Sequence, residues 1–387
     1  MNYTQAVNYL CNLEKFGTKL GLSRAEELLE KLGNPEKNLK VIHVTGTNGK
    51  GSVCAMLSSI LQEAGCKVGL YTSPHLKKFN ERYKINGKDI SDKDIVRYFN
   101  KVKRFATNQS FFEFTTSMAF LYFYEKKVDF LILEVGMGGR LDATNVVKPL
   151  VSIITNVGLE HTGHLGNTIA KIAYEKSGII KDKVPVVTAA KGDALKVIKD
   201  AAKQRKSPLF IAKPMRKVAL SLKGGFQQSN AAIVLETMRV LNNYYNLKIK
   251  NNTINKGLLK AKWPGRLQFI KKNILVDCAH NLDGVKALYK ELKKLKYNRL
   301  FLIIGILKDK DYKSMLRLLT PLACKTILTK VKYEGRATEP KDIAKYAQGN
   351  YMIAKDVKKA LKYAKTMANK NDLILITGSI YLVGEVI

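Results

Sequence analysis

Val41-Ile42-His43-Val44-Thr45-Gly46-Thr47-Asn48-Gly49-Lys50-Gly51-Ser52 decides how this chain is read. An apolar strand runs into a glycine-rich turn, and helix-period residues follow from Gly51 to Gly65. Glycines in such a turn let backbone N–H groups converge at a helix N-terminus, where they cradle a phosphate. Lys50 supplies a point charge for the β- and γ-phosphates, and Ser52 a hydroxyl near a metal. The spacing departs from GxxxxGK[ST]: the loop is shorter, and Gly51 separates Lys50 from Ser52. A purely structural turn does not need a lysine flanked by two glycines. Thr47, Asn48, Gly49, Lys50, Gly51 and Ser52 are therefore expected to contact a nucleotide.

Outward from this loop, short apolar runs alternate with helix-period segments, the pattern of an α/β protein with a mainly parallel sheet. Strands are expected at 41–45, 130–135, 151–155 and 184–188, then at 274–277, 300–305, 326–329 and 373–377. Helices are expected at 51–65, 115–126, 168–176, 281–294 and 356–369. Trp263-Pro264-Gly265-Arg266 punctuates the chain after a polar helical stretch, and a fresh strand–helix alternation starts at Ile274. Two domains, 1–265 and 266–387, are expected.

The formal net charge of the 387 residues is +35. Lysines occur in ones and twos along the whole chain, without a long basic block or an RNA-binding aromatic signature. That favours a lysine-rich surface attracting small anions over a nucleic-acid interface. The five cysteines are far apart and form no CxxC pair, which argues against a disulfide framework or a zinc site. The first residues have no signal-peptide core, and no apolar run approaches a membrane span. A cytoplasmic protein is expected, bound to neither nucleic acid nor membrane.

Phe130-Leu131-Ile132-Leu133-Glu134-Val135-Gly136 is a strand pattern ending in an acid. A carboxylate there is costly unless paired or bound to metal. The carboxyl ends of parallel strands are also where ligands bind. Mg²⁺ prefers one or two carboxylates with phosphate oxygens and waters. Glu134 is thus a candidate metal ligand, the alternative being a cap on the turn that follows.

TGTNGKGS at 45–52 and Glu134-Val135-Gly136-Met137-Gly138-Gly139-Arg140-Leu141-Asp142-Ala143-Thr144-Asn145 resemble signatures of the folylpolyglutamate synthase and dihydrofolate synthase branch of the Mur-ligase superfamily. Further matches are TSPHL at 72–76, the FE-containing segment at 110–116, EKSG at 175–178, PGR at 264–266 and D-x-AHN at 277–281. Departures are Glu160 before His161, where the family has Asp; Ser177 where Ala is common; and Phe226 where the family has His.

The resemblance implies a P-loop-containing Mur-ligase-like domain with a parallel-rich sheet, plus a smaller Rossmann-like α/β domain on the glutamate side. It implies that Leu141, Asp142 and Ala143 line the pteridine site with Phe112 and Glu113. It implies two Mg²⁺ sites, with Ser73 a ligand of the first and His161 of the second, and Lys176, carried as a CO₂ carbamate, an anionic metal ligand beside His161 and Glu134. Asn230, Arg266 and Asp277 are implied nucleotide contacts drawn from both domains. Lys50, Glu134, His161 and Lys176 are the implied catalytic group.

The implied reaction is ATP-dependent addition of L-glutamate to dihydropteroate, a reduced folylpolyglutamate, or both, through an acyl phosphate. Only about forty residues precede the phosphate loop, too few for a domain holding a UDP-sugar, which favours a folate-type acceptor over a muramyl nucleotide. A monomer acting on small molecules is expected. The competing readings are another Mur-superfamily amino-acid ligase and, from a different class, a nucleic-acid-dependent P-loop ATPase. The last leaves the DATN and EKSG segments unexplained.

Overall fold

Val41–Thr45 forms strand β1, buried along its whole length in the interior of an eight-stranded sheet in the computed structural model of the chain. The structure describes residues 1–14, 17, 21–214, 217–333 and 335–387. The other strands of this sheet are β2 (Val68–Tyr71), β3 (Tyr83–Ile85), β4 (Lys88–Asp89), β5 (Phe130–Glu134), β6 (Val151–Ile154), β7 (Val186–Thr188) and β8 (Leu209–Ile211). Their order is β4-β3-β2-β5-β1-β6-β7-β8. β2 through β8 in this order run parallel, while β3 and β4 are antiparallel additions at one edge.

Central parallel strands are covered on both faces, so they read as continuous apolar runs. β1, β5 and β6 are buried at every residue. Each fully buried Leu, Ile or Val there contributes roughly 1.5–3 kcal/mol relative to exposure. The helix Lys50–Glu63 that follows β1 is apolar almost all round, and residues 51–58 are buried without a break.

A second sheet has six strands: β9 (Gln268–Lys271), β10 (Ile274–Val276), β11 (Leu300–Ile304), β12 (Lys325–Thr329), β13 (Tyr351–Ala354) and β14 (Leu373–Thr377). The order is β13-β12-β11-β14-β10-β9, parallel except for the antiparallel β9–β10 pair. By contacts the chain divides into two units. One is Met1–Ser221 with Gln227–Lys262; the other is Leu222–Phe226 with Trp263–Ile387. The α/β architecture with two largely parallel sheets is the one expected.

Several boundaries differ from the expected ones. The strand expected from Val184 begins at Val186, because Pro185 has no N–H for the ladder and only its carbonyl is used, by Ser152 N–H at 3.0 Å. The helix expected from Thr115 begins at Phe111. Ser110 and Glu113 form a capping box, the S-x-x-E signal of a helix start. Among the described residues no helix is long and apolar enough to cross a membrane.

Candidate active site

β2, β5, β1 and β6 run side by side in one direction, so their carboxyl ends lie along one edge of the first sheet. The register sets Val44 beside both Glu134 and Ile153. Four loops therefore leave the sheet together: those at 72–76, 135–145, 46–49 and 155–161. This edge of a parallel sheet is where ligands bind.

The phosphate loop is pinned by the loop after β6. Asn48 N–H donates to Asn156 Oδ1 (2.9 Å), and Asn48 O accepts from Thr155 Oγ1 (2.7 Å) and Asn156 Nδ2 (2.9 Å). Thr47 N–H donates to Asn156 O at 3.0 Å. Lys50 Nζ turns back over the loop, donating to Gly46 O (3.0 Å) and Thr47 O (3.2 Å). Gly49, the residue before the helix, has φ +87°. Asn230 packs against it from the helix Phe226–Tyr245. Asn230 Nδ2 donates to Gln227 Oε1 (2.9 Å), whose Nε2 donates to Ser52 Oγ (3.3 Å). Asn230 is thus held at the loop, where the resemblance put a nucleotide contact.

Glu134 is 4% exposed, and its Oε2 accepts from Ser73 N–H at 3.1 Å. The Ser73–Pro74 peptide is cis. Burial drives the Cys54 thiol upward, with Glu134 adding to that shift and Lys50 opposing it, which places both charges near one helix position. The Phe112 ring covers Gly136, where a Cβ would stand 2.5 Å from its Cζ. Phe114 is core, 1% exposed. Glu113 is committed to structure: its Oε2 accepts from Ser110 N–H (2.7 Å), and its Oε1 lies 2.8 Å from Arg24 Nη2.

Asp142 braces its own loop. Oδ2 accepts from Met137 N–H (2.8 Å), and Oδ1 from Thr144 N–H (3.0 Å) and Thr144 Oγ1–H (2.5 Å). Burial raises its carboxyl above the usual range, and these bonds pull the other way. Ala143 is buried and Leu141 half-buried beside it.

Lys176 lies in the helix Ile169–Ser177 and is 4% exposed. Its amine is pulled down to about 7, first by burial, then by the Lys50 charge, against the opposing pull of Glu160 and Asp142. These four side chains therefore share one neighbourhood. His161 stands next to Glu160, its Nε2 4.0 Å from Glu160 Oε1, and takes the left-handed backbone region at φ +52°. The helix is tied to the 136–145 loop by an ion pair, Arg140 Nη2 to Glu175 Oε1 at 2.9 Å, and by Arg140 N–H to Glu175 O at 2.7 Å. The two approach so closely at Gly178 that a Cβ there would meet Arg140 Cβ at 2.3 Å.

In the second unit, Asp277 follows β10. Its Oδ2 accepts from Leu267 N–H and its Oδ1 from Ala279 N–H, both at 2.8 Å. Burial raises its carboxyl, and the Arg266 guanidinium opposes this, so the two expected nucleotide residues lie near each other. His280 Nδ1–H donates to Cys278 O at 2.9 Å, bracing the loop.

Sequence reasoning passed over His43 and Thr45. His43 Nε2 lies 2.9 Å from Thr144 Oγ1, and Thr45 Oγ1 donates to Gly138 O at 2.6 Å. The available signal was a polar alternation, His43 then Thr45, within an otherwise apolar five-residue strand.

Two family models match the chain: the Mur ligase middle domain over residues 44–250 and the Mur ligase glutamate ligase domain over 265–380. The dihydrofolate synthase/folylpolyglutamate synthase of Bacillus subtilis is 37% identical, covering 99% of this chain and 98% of its own. The folylpolyglutamate synthase of Lacticaseibacillus casei is 34% identical over 100% of this chain and 98% of its own. Among solved structures, E. coli FolC in complex with DHPP and ADP superposes with a TM-score of 0.91 at 29% identity, covering 98% of this chain and 96% of that one. The Mycobacterium tuberculosis folylpolyglutamate synthase complexed with ADP gives 0.92 at 26% identity, covering 99% and 98%. Full-length similarity, both domain matches and the phosphate-loop edge agree: the chain belongs to the folylpolyglutamate synthase/dihydrofolate synthase family of Mur ligases, which are ATP-dependent glutamate ligases.

Proposed function

We infer that this chain joins L-glutamate through an amide bond to the carboxylate of dihydropteroate, of a reduced folylpolyglutamate, or of both, with ATP converted to ADP and phosphate. The observation that carries the reading is the burial of Lys176 within reach of Lys50, Glu160 and Asp142, at the sheet edge where the phosphate loop emerges.

A carboxylate is a poor acyl donor. Its oxygen attacks the γ-phosphorus, the bond to ADP breaks, and the acyl phosphate carries a good leaving group. The glutamate amine then attacks the acyl carbon and phosphate departs. Lys50 and the loop amides from Thr47 to Ser52 hold the phosphates and offset charge on the transferring phosphoryl group. Asn230, Arg266 and Asp277 are assigned to the nucleotide. Phe112, Leu141, Asp142 and Ala143 are assigned to the pteridine, with Glu113 supporting the helix that carries Phe112.

Mg²⁺ takes one or two carboxylates and completes its shell with phosphate oxygens and water. Among the described residues no three His, Cys, Asp or Glu side chains gather as an all-protein cage. A buried Glu134 beside a phosphate loop fits a magnesium shared with phosphate. Glu134 and Ser73 would hold one ion, and His161 and Lys176, as its carbamate, a second. Bound there, the ions would neutralise charge on the phosphoryl oxygens. A Lys176 amine down at about 7 supports the carbamate, because only the neutral amine adds CO₂.

The chain is assigned to the cytoplasm as a monomer that needs no nucleic acid. The test incubates pure protein with ATP, Mg²⁺ and labelled glutamate, offering dihydropteroate and a reduced folate separately. Label should enter at least one acceptor. Label in neither, or ATP hydrolysis stimulated by RNA or DNA without glutamate, would end the reading.

A further inference from the structure

Strand β1 carries the phosphate loop on its end, and its His43 and Thr45 side chains point to the same face, as alternate residues of a strand must. Both reach the 136–145 loop: Thr45 Oγ1 donates to Gly138 O, and His43 meets Thr144 Oγ1. The hydrogen positions on this path follow from the partners. Thr144 has one hydroxyl hydrogen, and it goes to Asp142 Oδ1. Thr144 Oγ1 must then accept from His43, so Nε2 carries the ring hydrogen. The other ring nitrogen, Nδ1, is buried with no partner among the described residues. A fully buried imidazole with a single polar contact is costly, and an apolar residue would fill the strand at less expense.

We propose that His43 is a positioning residue for the pteridine: through the Thr144 hydroxyl it fixes the Asp142 carboxylate and sets the 136–145 loop at a defined distance from the phosphate loop. This rests on the proposed assignment of Asp142 to the pteridine site. The chain of donors runs one way, His43 Nε2–H to Thr144 Oγ1, and Thr144 Oγ1–H to Asp142 Oδ1. Burial keeps the imidazole neutral, pulled down to about 3, so the donor is present throughout the working pH range. Neither His43 nor Thr144 takes part in the phosphate loop's side-chain hydrogen bonds, which run to Thr155, Asn156, Gly158 and Gln227 and, from Lys50, back to Gly46 and Thr47. The effect should therefore fall on one substrate only.

The test uses the full chain and four variants: His43→Leu and Thr144→Val, which remove the relay at similar volume, and His43→Gln and Thr144→Ser, which keep a donor and a hydroxyl. Steady-state kinetics are taken for ATP and for the pteridine acceptor, with Tm measured on each protein. His43→Leu and Thr144→Val should raise KM for the acceptor about tenfold, with KM for ATP within about twofold of the parent. His43→Gln and Thr144→Ser should recover most of that loss. Equal rises in both KM values, or a lowered Tm with no change in acceptor KM, would overturn the proposal and leave His43 as packing alone. If the parent chain converts neither acceptor, the functional reading itself falls and this inference with it. If the parent turns over and the variants do not discriminate, the inference alone falls.

Discussion

Asn230 Oδ1 lies 2.4 Å from the point where a Cβ on Gly49 would stand. Gly49 also holds φ +87°, a region that a side chain makes strained. Gly49→Ala should therefore distort the loop twice over, by backbone strain and by pushing Asn230 away. KM for ATP should rise at least about tenfold while circular dichroism stays unchanged, since local strain of this kind costs on the order of 1–3 kcal/mol. Asn230→Ala added to Gly49→Ala relieves the contact but leaves the strain and removes a residue assigned to the nucleotide, so it should not restore ATP binding.

Glu134→Gln keeps the size of a buried side chain and its acceptor oxygen for Ser73 N–H. It removes the negative charge. The rate of glutamate incorporation should fall by about 10²–10³, the range seen when one electrostatic stabiliser of a transition state is lost. A Mg²⁺ titration checks the cause: the midpoint should move to higher metal concentration. An unchanged midpoint and rate would remove Glu134 from the metal site.

Lys176→Met should separate stability from activity. The folded-state amine is lowered from 10.5 to about 7, chiefly by burial, so the native chain binds fewer protons than the unfolded chain between those values. Charge on Lys176 thus opposes folding in full below about pH 7, and the opposition fades as pH rises towards 10.5. In CO₂-free buffer, the Met variant should melt at least about 2 °C higher at pH 6.5. That gain should shrink by pH 10. Its ligase activity should be absent at every pH.

Asp372 in the second unit accepts from Arg299 Nη2 (2.7 Å), Arg299 Nε (3.2 Å) and Asn369 N–H (2.7 Å). The Arg299 contact holds its carboxyl below the usual range. A depressed carboxylate stabilises the fold fully above its unfolded pKa and loses that effect as pH falls through the folded value. Asp372→Asn should lower Tm by about 2–4 °C at pH 7, and the gap should narrow as both proteins are acidified from the unfolded carboxylate's ordinary 3.8 down through the lower folded value. A gap that acid leaves unchanged would assign the loss to packing.

The interior strands were legible because burial on both faces leaves an uninterrupted apolar run, as in Leu131-Ile132-Leu133 or Leu300–Ile304. Edge strands carried no such mark. β4 is exposed at both residues, and β13 alternates exposed Tyr351 and Ile353 with half-buried Met352 and buried Ala354. The helix Asp92–Lys103 carries a readable signal of its own, a Ser91 side chain that caps Asp94 N–H and an apolar face of Ile95, Tyr98, Phe99 and Val102 at helical spacing. At the site, single loops were readable because glycines and charges cluster in sequence there. Relations across loops were not. Nothing near His43 in sequence signals Thr144, a hundred positions on, and nothing near Arg140 signals Glu175. Strand order, and the packing of the helix Ile169–Ser177 against the 136–145 loop, create those neighbours, and both are properties of the fold rather than of spacing.

The second unit owns Leu222–Phe226 although the chain goes back to the first unit before Trp263. Phe226 packs against the apolar cluster around Leu275 and Leu302, and Lys223 lies over the Phe269 ring. A fragment ended at Lys262 would carry an orphaned aromatic, and its counterpart would lack a partly buried ring that packs on its core. Splitting this enzyme into complementing halves, or fusing a reporter at the obvious Pro-Gly punctuation, therefore calls for a circular rearrangement that transfers the 222–226 pentapeptide along with the C-terminal part.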